Sequence, residues 1–379
     1  MKKIVAILFA TLMIQAPVFA CSAFLLKGDD CHVIGFNENW EYIPGMVVVN
    51  KRGVVKRNLS WDDMVADRPT IPKMRWTAKY GSVTFTAFGI DAPCYGMNEP
   101  GLFLVELYLD KTCSLPDASR PRMFWAQWIQ YQLDNYASVE EVIRHLPESP
   151  IIDWWPHSAG SHFFLTDAKG QTAAIEFIEG KPVVSTAERM PQPILCNLRY
   201  QQELAALGQF KTFGGDQPFD SNGPGDRRFA TIAHRLNEYR PGTTSPLEFS
   251  WKLLDEVGTG IWQLVADVRT RTLYFRSKPC RNIKSISLAD CDFSTNSPIQ
   301  FIDLHINFKG DVIKQLAVWT PEINQAYVLA GYPSGYDQGA FFQTEDYPKL
   351  QKNLLNYSEQ LQRQVKSPRI INDRLSANR

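Results

Sequence analysis

Short apolar runs separated by turn residues dominate the first half of the chain, a pattern typical of β-strands. The runs on either side of Gly28-Asp29-Asp30 predict a β-hairpin, because this turn suits two short antiparallel strands. Cys21 then lies at the tip of the first strand. Further apolar runs predict strands at residues 46–50, 82–88, 102–109, 162–166 and 173–177.

Helices are predicted in the segments between and after these strands. They cover residues 123–136, 139–146, 228–239, 247–256 and 350–364. Ser138 and Glu141 have the spacing of a capping box at the start of the second helix. Strands and helices follow one another in blocks, so we expect layered α+β packing rather than βαβ winding.

The first twenty residues have the features of an export signal. Lys2 and Lys3 precede an apolar run, which ends with Pro17 and a small residue, Ala20, directly before Cys21. The run is too short to span a bilayer comfortably. We therefore expect residues 1–20 to be removed and the mature protein to be periplasmic or secreted, without membrane association.

The rest of the chain contains no linker rich in proline, glycine or serine that would divide it. We expect one large domain over residues 21–300. Residues 301–379 are expected to extend the same domain with a strand and a terminal helix.

Composition narrows the classes of partner. The 40 basic and 40 acidic residues balance, and no segment concentrates lysine and arginine, so nucleic acid is not an expected partner. No CxxC pair or HExxH motif occurs, which gives no support for a metal site, and no cofactor is implied. None of the six histidines lies in a recognisable Cys-His arrangement, and we expect His162 to be structural.

Seven cysteines are an odd number, which in an exported protein suggests one thiol with a separate role. The alternative is that several are buried free thiols, a common state for cysteine. Their spacing makes Cys280–Cys291 and Cys94–Cys113 plausible disulfide pairs.

Cys21 would become the first residue of the mature protein. Its thiol needs a base, and a terminal α-amine, with a pKa of about 7.7 to 8.0, can serve as one. Such a nucleophile is expected to be exposed in a cleft. The same junction also fits a lipidated cysteine or an ordinary structural one, so it leaves these three possibilities open.

Five segments, taken in order, resemble the choloylglycine hydrolase family of bile salt hydrolases and penicillin V acylases. They are "CSAFLLKGDDCHVIGFNENWEY", "YGMNEPGLFLVELYL", "HFFLTDAKGQTAAIEF", "PILCNLRY" and "GPGDRRFATIAHR", within residues 21–295. The resemblance implies an N-terminal nucleophile hydrolase with a four-layer αββα sandwich. It also implies a small N-acyl amide substrate and a possible homotetramer.

The resemblance assigns a role to each matching residue. Cys21 matches the nucleophile, and Asn197 matches the asparagine whose side chain donates to the oxyanion. Tyr108 matches the residue whose backbone N–H completes that oxyanion hole, and Arg228 matches an arginine beside the nucleophile. Without the resemblance, Asn197 would be read as a turn residue, Tyr108 as a core residue and Arg228 as a cation on a helix surface.

Two positions depart from the family pattern Gly-Arg-Asn-x-Asp. Phe36 replaces the arginine and Asn39 replaces the aspartate; an amide can still accept a hydrogen bond from the α-amine but adds no negative charge. This departure keeps open a lipid-anchored or catalytically silent binding protein as the alternative. The favoured hypothesis is an exported cysteine amidase for a linear C–N bond. Trp40, Trp154 and Trp155 are candidates for binding its acyl group, with a place in the core as the equal alternative.

Overall fold

The computed structural model describes most of the chain after residue 20. The described residues are 21–28, 31–39, 44–60, 63–64, 73–109, 120–153, 160–223, 225–258, 260–334 and 347–366. Within these ranges the strands are numbered β1 to β20 and the α-helices α1 to α7, in chain order. Nearly all strands belong to two large sheets.

The first sheet begins with the predicted hairpin. In the described residues it has seven strands in the order β14-β1-β2-β15-β16-β17-β19. Their bounds are β1 Ser22–Lys27, β2 His32–Glu38, β14 Ile194–Leu195, β15 Trp262–Asp267, β16 Thr272–Ser277, β17 Lys284–Ser287 and β19 Gly310–Asp311. Neighbouring strands are antiparallel except β17 and β19. Cys21 directly precedes β1 and so lies at an end of this sheet.

The second sheet has nine strands in the described residues, in the order β13-β12-β11-β8-β7-β6-β3-β18-β20. Their bounds are β3 Met46–Asn50, β6 Ser82–Thr86, β7 Tyr95–Asn98, β8 Phe103–Leu109, β11 Gly160–Thr166, β12 Thr172–Ile178, β13 Lys181–Thr186, β18 Gln300–Asp303 and β20 Ala317–Val318. Two short pairs stand apart, β4 Val55–Arg57 with β5 Arg75–Thr77 and β9 Arg122–Phe124 with β10 Ile151–Asp153.

Helices cover the outer faces of both sheets. Their bounds are α1 Trp125–Asn135, α2 Val139–His145, α3 Tyr200–Leu207, α4 Arg228–Glu238, α5 Pro246–Val257, α6 Pro321–Ser334 and α7 Tyr347–Gln362. Helix α1 contacts β7 and β8, while α4 contacts β1 and β14 and α5 contacts β2 and β15. The layers are therefore helix, sheet, sheet and helix.

The two sheets pack on each other through apolar side chains. The rings of Phe36 in β2 and Tyr95 in β7 meet edge to face with centroids 4.9 Å apart, and those of Phe85 and Phe275 lie 5.3 Å apart. Every residue of β3 and of β6 is buried, as expected for strands covered on both faces.

The hairpin, the other predicted strands and the predicted helices are all present, with ends shifted by a few residues. The predicted cap of α2 is half right: Ser138 Oγ accepts a hydrogen bond from the Glu141 N–H at 3.2 Å. The Glu141 carboxylate, however, accepts from the Ala137 N–H at 2.7 Å and not from that of Ser138. The prediction of one strand and one terminal helix for residues 301–379 was incomplete. The described part of this segment includes β19, β20, α6 and α7.

The C-terminal helix is anchored to a buried polar group. Tyr357 in α7 donates a hydrogen bond to Asp91 at 2.7 Å. Asp91 and Asp134 in turn pair with the buried ammonium of Lys56 at 2.8 and 2.9 Å. A buried charge is stable only when it is paired, so the groups of this network must stay together. The network thereby holds α7 against the helical layer of the second sheet. In the described part of the chain, no helix has the length and apolar character needed to cross a membrane.

The predicted disulfide Cys280–Cys291 is wrong, since both thiols are free. Cys280 contacts the side-chain oxygen of Asn307 at 3.8 Å, and Cys291 contacts the carbonyl of Ser287 at 3.5 Å. Cys94 is also a free thiol, and its predicted partner Cys113 lies outside the described residues.

Candidate active site

Cys21 directly precedes β1, at an end of the first sheet, and is buried. The register of the hairpin pairs Ser22 with Asn37, which sets Cys21 opposite Glu38, at the end of β2. The Cys21 Sγ is 3.9 Å from Glu38 Oε1. In the full-length chain the nitrogen of Cys21 is a peptide nitrogen, and it becomes an amine only when the bond after Ala20 is cut.

Cys21 is predicted to be exposed in a cleft of the mature protein; in the full-length chain the residue is 2% exposed. Burial raises the pKa of its thiol well above the ordinary value, and the nearby carboxyl groups of Glu38 and Glu106 raise it further. The backbone N–H of Asn39 and the charge of Arg228 act in the opposite direction. The thiol is therefore protonated at neutral pH and needs a base to become a nucleophile.

Arg228, the first residue of α4, points into the site and is not a cation on a helix surface. Its guanidinium donates to the Cys21 carbonyl at 2.5 Å, to Ser22 Oγ at 3.1 Å and to Asn197 Oδ1 at 3.1 Å. Asp226 pairs with the same guanidinium at 2.5 Å. One charged group thus holds the residue after the cleavage position and the side chain of Asn197 together.

Asn197 follows β14 and connects the two sheets. Its Nδ2 donates to the carbonyl of Tyr108 in β8 at 2.7 Å, while its Oδ1 accepts from Arg228. The preceding residue is fixed as well, because the imidazole of His162 forms a 2.6 Å hydrogen bond with the Cys196 carbonyl. This contact, together with Glu176 at 3.4 Å from the same ring, accounts for the predicted structural role of His162.

Tyr108 presents its backbone toward Asn197. In an antiparallel strand the N–H and C=O of one residue point to the same edge, and the edge alternates along the strand. The Glu106 N–H donates to the Cys94 carbonyl at 3.0 Å, so Tyr108, two residues on, directs its own N–H and C=O to that same edge. The Tyr108 N–H and the Asn197 amide are therefore on the same side of β8, as two donors to one oxyanion must be.

The two departures from the family pattern have different surroundings. Phe36 is fully buried and packs between the sheets against Tyr95, so it is a core residue. Asn39 faces the thiol of Cys21 with its backbone N–H, which lowers the pKa of that thiol. Its side chain lies near Gly258, where an added Cβ would be 3.9 Å from Asn39 Nδ2.

Glu38 is a residue of the site that the sequence interpretation missed. It is 5% exposed, and its Oε2 has no hydrogen-bond partner among the residues that the structure describes. Burial raises the pKa of its carboxyl well above the ordinary value, and Glu106 raises it further. The available signal was a glutamate at the end of a strand whose two faces are covered. Buried carboxyl groups are rare unless they are paired or functional, so this residue was a candidate for the site.

Glu106 approaches the same place from the second sheet. It lies in β8, two residues before Tyr108, and is buried. Burial raises the pKa of its carboxyl to about 7, and a hydrogen bond from Ser161 opposes the shift. Two titratable carboxyl groups therefore flank Cys21, one from each sheet.

Trp40, Trp154 and Trp155, predicted to bind the acyl group, lie outside the described residues. Over the described ranges, no group of three or more histidine, cysteine, aspartate or glutamate side chains is placed to hold a metal ion.

The chain is similar to proteins of known activity. Penicillin V acylase from Pectobacterium atrosepticum is 24% identical over 262 residues, which make up 58% of this chain and 69% of that protein. The structure of penicillin V acylase from Agrobacterium tumefaciens aligns with a TM-score of 0.67 at 22% identity, covering 80% of this chain and 98% of that one. A mutant of conjugated bile acid hydrolase from Clostridium perfringens aligns with a TM-score of 0.59 at 18% identity, covering 76% and 98%.

These alignments, with the layer order, show the four-layer αββα sandwich, as predicted. The family described as linear amide C–N hydrolases, choloylglycine hydrolase family, matches residues 21–234, more than half of the chain. The resemblance inferred from the five segments is thereby confirmed. The chain belongs to the choloylglycine hydrolase family, whose members are hydrolases acting on carbon–nitrogen bonds other than peptide bonds in linear amides.

Proposed function

We propose that the protein is exported, is cut before Cys21 and hydrolyses a small N-acyl amide through an acyl-thioester on Cys21. The observation that carries the proposal is the set of contacts around this residue. Arg228 bonds to its carbonyl and to Asn197, and Asn197 bonds to Tyr108. The family match also begins at residue 21, directly behind the signal-like segment.

In the proposed reaction the α-amine of Cys21 takes the thiol proton, and Sγ attacks the substrate carbonyl. Asn197 Nδ2 and the Tyr108 N–H donate to the oxygen as it becomes negative. The ammonium then returns its proton to the leaving amine while the C–N bond breaks, which leaves the acyl group on sulfur. Water, deprotonated by the same amine, attacks the thioester and releases the carboxylic acid, and the thiol is restored.

The acyl group is proposed to be apolar. The related proteins are a penicillin V acylase and a conjugated bile acid hydrolase, whose names give penicillin V and conjugated bile acids as their substrates. Candidate substrates are N-acyl amino acid conjugates, phenoxyacetyl penicillins and N-acyl homoserine lactones. The protein is further proposed to act in the periplasm or outside the cell, as a homotetramer, which light scattering after gel filtration would measure.

Two measurements test the proposal. Intact mass of the exported protein should equal that of a chain beginning at Cys21 with an unmodified amine. A panel of N-acyl amides should then be hydrolysed by the wild type and not by Cys21→Ala. A mass increment of diacylglycerol and an acyl chain at Cys21 would instead identify a lipid-anchored protein, and equal rates for wild type and Cys21→Ala would refute the nucleophile.

A further inference from the structure

Within the described part of the chain, the buried carboxyl of Glu38 has one oxygen without a partner. Its Oε1 contacts the thiol of Cys21 at 3.9 Å, whereas Oε2 is buried and makes no hydrogen bond to any described residue. Leaving a buried polar atom without a hydrogen-bond partner is unfavourable, and more so when the atom is charged. The oxygen therefore indicates a donor that the described residues of the uncut chain do not supply.

Cleavage before Cys21 creates such a donor at the right residue. The peptide nitrogen of Cys21 becomes an amine, which as an ammonium has three N–H groups. Residues directly opposite on antiparallel strands have Cβ atoms only about 4.5–5.5 Å apart, and Cys21 is opposite Glu38. The new charge thus appears beside the unpaired carboxyl oxygen.

We propose that Glu38 is a positioning residue for the Cys21 amine, accepting its hydrogen bond and supplying the negative charge that the amide of Asn39 lacks. The inference rests on the proposed function, because it requires the amine that cleavage creates. It also changes the meaning of the departure at position 39: the acidic group of the site is displaced by one residue along the strand and is not lost.

The surroundings of Glu38 determine when it is charged. The titratable groups that face it are Cys21 from β1, Glu106 from β8, and Cys94 and Tyr95 from the β7 region. All four are neutral or negative, and the positive charge of Arg228 acts on Cys21. In the uncut chain Glu38 therefore keeps its proton.

Cleavage reverses this balance. An ammonium next to a carboxyl favours the carboxylate, so the proton of Glu38 passes to the new amine and an ion pair forms. One O–H bond breaks and one N–H bond forms, and no other reactant is needed. For catalysis the ammonium must then lose a proton to become the base, and the pKa of the amine depends on Glu38.

The test is Glu38→Gln in the mature protein, with two pH profiles. The first is the rate of alkylation of Cys21 by iodoacetamide, located by peptide mass, and the second is kcat/KM on an N-acyl amide. Without this carboxylate, the ammonium form of the Cys21 amine is no longer favoured. The Cys21 thiolate is no longer disfavoured. Both ascending limbs should therefore move to lower pH, by about one unit, the scale of one close charge.

Two further variants separate charge from structure. Glu38→Asp retains the carboxylate and should bring both limbs back toward the wild-type position. If Glu38→Gln does not fold, Glu38→Asp carries the test alone and should give a smaller shift in the same direction. Glu176→Gln is the matched control: it removes a buried carboxyl that contacts His162 and the N–H of Tyr200, and it should leave the alkylation profile in place.

Unchanged alkylation and kcat/KM profiles in Glu38→Gln, or in Glu38→Asp when only that variant folds, would overturn the inference. Failure of the proposed function looks different. If the wild type hydrolyses no amide of the panel, the amidase assignment fails, yet the alkylation profiles still decide the role of Glu38, since alkylation needs no substrate.

Discussion

Asn197 makes two hydrogen bonds that different substitutions can separate. Its Nδ2 donates to the Tyr108 carbonyl at 2.7 Å, and its Oδ1 accepts from Arg228 at 3.1 Å. Asn197→Asp keeps an oxygen for Arg228 but removes the N–H donor, whereas Asn197→Ala removes both. If Asn197 donates to the oxyanion, the two variants should be equally inactive, although only one disturbs the arginine.

The expected magnitudes follow from these contacts. Loss of one oxyanion donor should lower kcat by roughly 10²- to 10³-fold in both variants. Asn197→Ala should also lose about 2 kcal/mol of unfolding free energy, because a hydrogen bond to a charged group is worth roughly 1.5–3 kcal/mol and this residue is only half-buried. Asn197→Asp should be destabilised less, since Arg228 gains an ionised partner.

The assay is kcat at saturating N-acyl amide, paired with urea unfolding of the same preparations. Tyr108→Phe is the matched control, since it removes only the side-chain hydroxyl and leaves the backbone N–H and C=O in place. It should keep kcat within a few-fold of the wild-type value. If Asn197→Asp retains kcat near the wild-type value while Asn197→Ala does not, then Asn197 serves to position Arg228 and the oxyanion assignment is refuted.

Three other predictions follow from the site. Cys21→Ala should abolish hydrolysis and, because the thiol is buried, should lower the unfolding free energy measured in urea by about 1 kcal/mol. Full activity of this variant would contradict the role of Cys21 as nucleophile. Asn39→Asp adds a carboxylate that favours the ammonium form of the Cys21 amine, so the ascending limb of kcat/KM against pH should move to higher pH. An unmoved limb would show that Asn39 does not face the amine. Aromatic or medium-length apolar acyl groups should be cleaved faster than acetyl, since each buried methylene contributes about 0.8 kcal/mol, and flat rates along an acyl series would exclude an apolar acyl site.

Part of the sheet architecture could be predicted because the strands concerned are short, apolar and bounded by turn residues. The hairpin before and after Gly28 and five strands of the second sheet, β3, β6, β8, β11 and β12, are of this kind. The helix α6 was missed, because its sequence from Pro321 to Ser334 contains an internal glycine and proline and has no clear apolar face. The disulfide Cys280–Cys291 was wrong because spacing along the chain does not show where the two thiols point.

The partners of the site residues could not be derived from one segment at a time. Tyr108 lies in the second sheet and Asn197 follows β14 of the first, so their contact exists only because the sheets stack. The order of the motifs along the chain suggested the oxyanion role of these two residues. The packing of the two sheets explains how they come into contact. Arg228 shows the same limit, since its position at the start of a helix would suggest solvent exposure, whereas its side chain is only 12% exposed.

Position 39 shows why a motif comparison alone misjudges the charge of a site. Compared letter by letter, "GFNEN" loses both charged positions of the pattern, which favours a silent protein. In the structure the preceding residue, Glu38, reaches the thiol of Cys21, while Asn39 faces that thiol with its backbone N–H. Electrostatic control of an amine depends on where a carboxylate lies in space, because the interaction falls with distance and takes no account of sequence position. The lost aspartate is therefore weak evidence for lost chemistry in this chain, and the pH profiles of the Glu38 variants are the measurement that separates a displaced acid from an absent one.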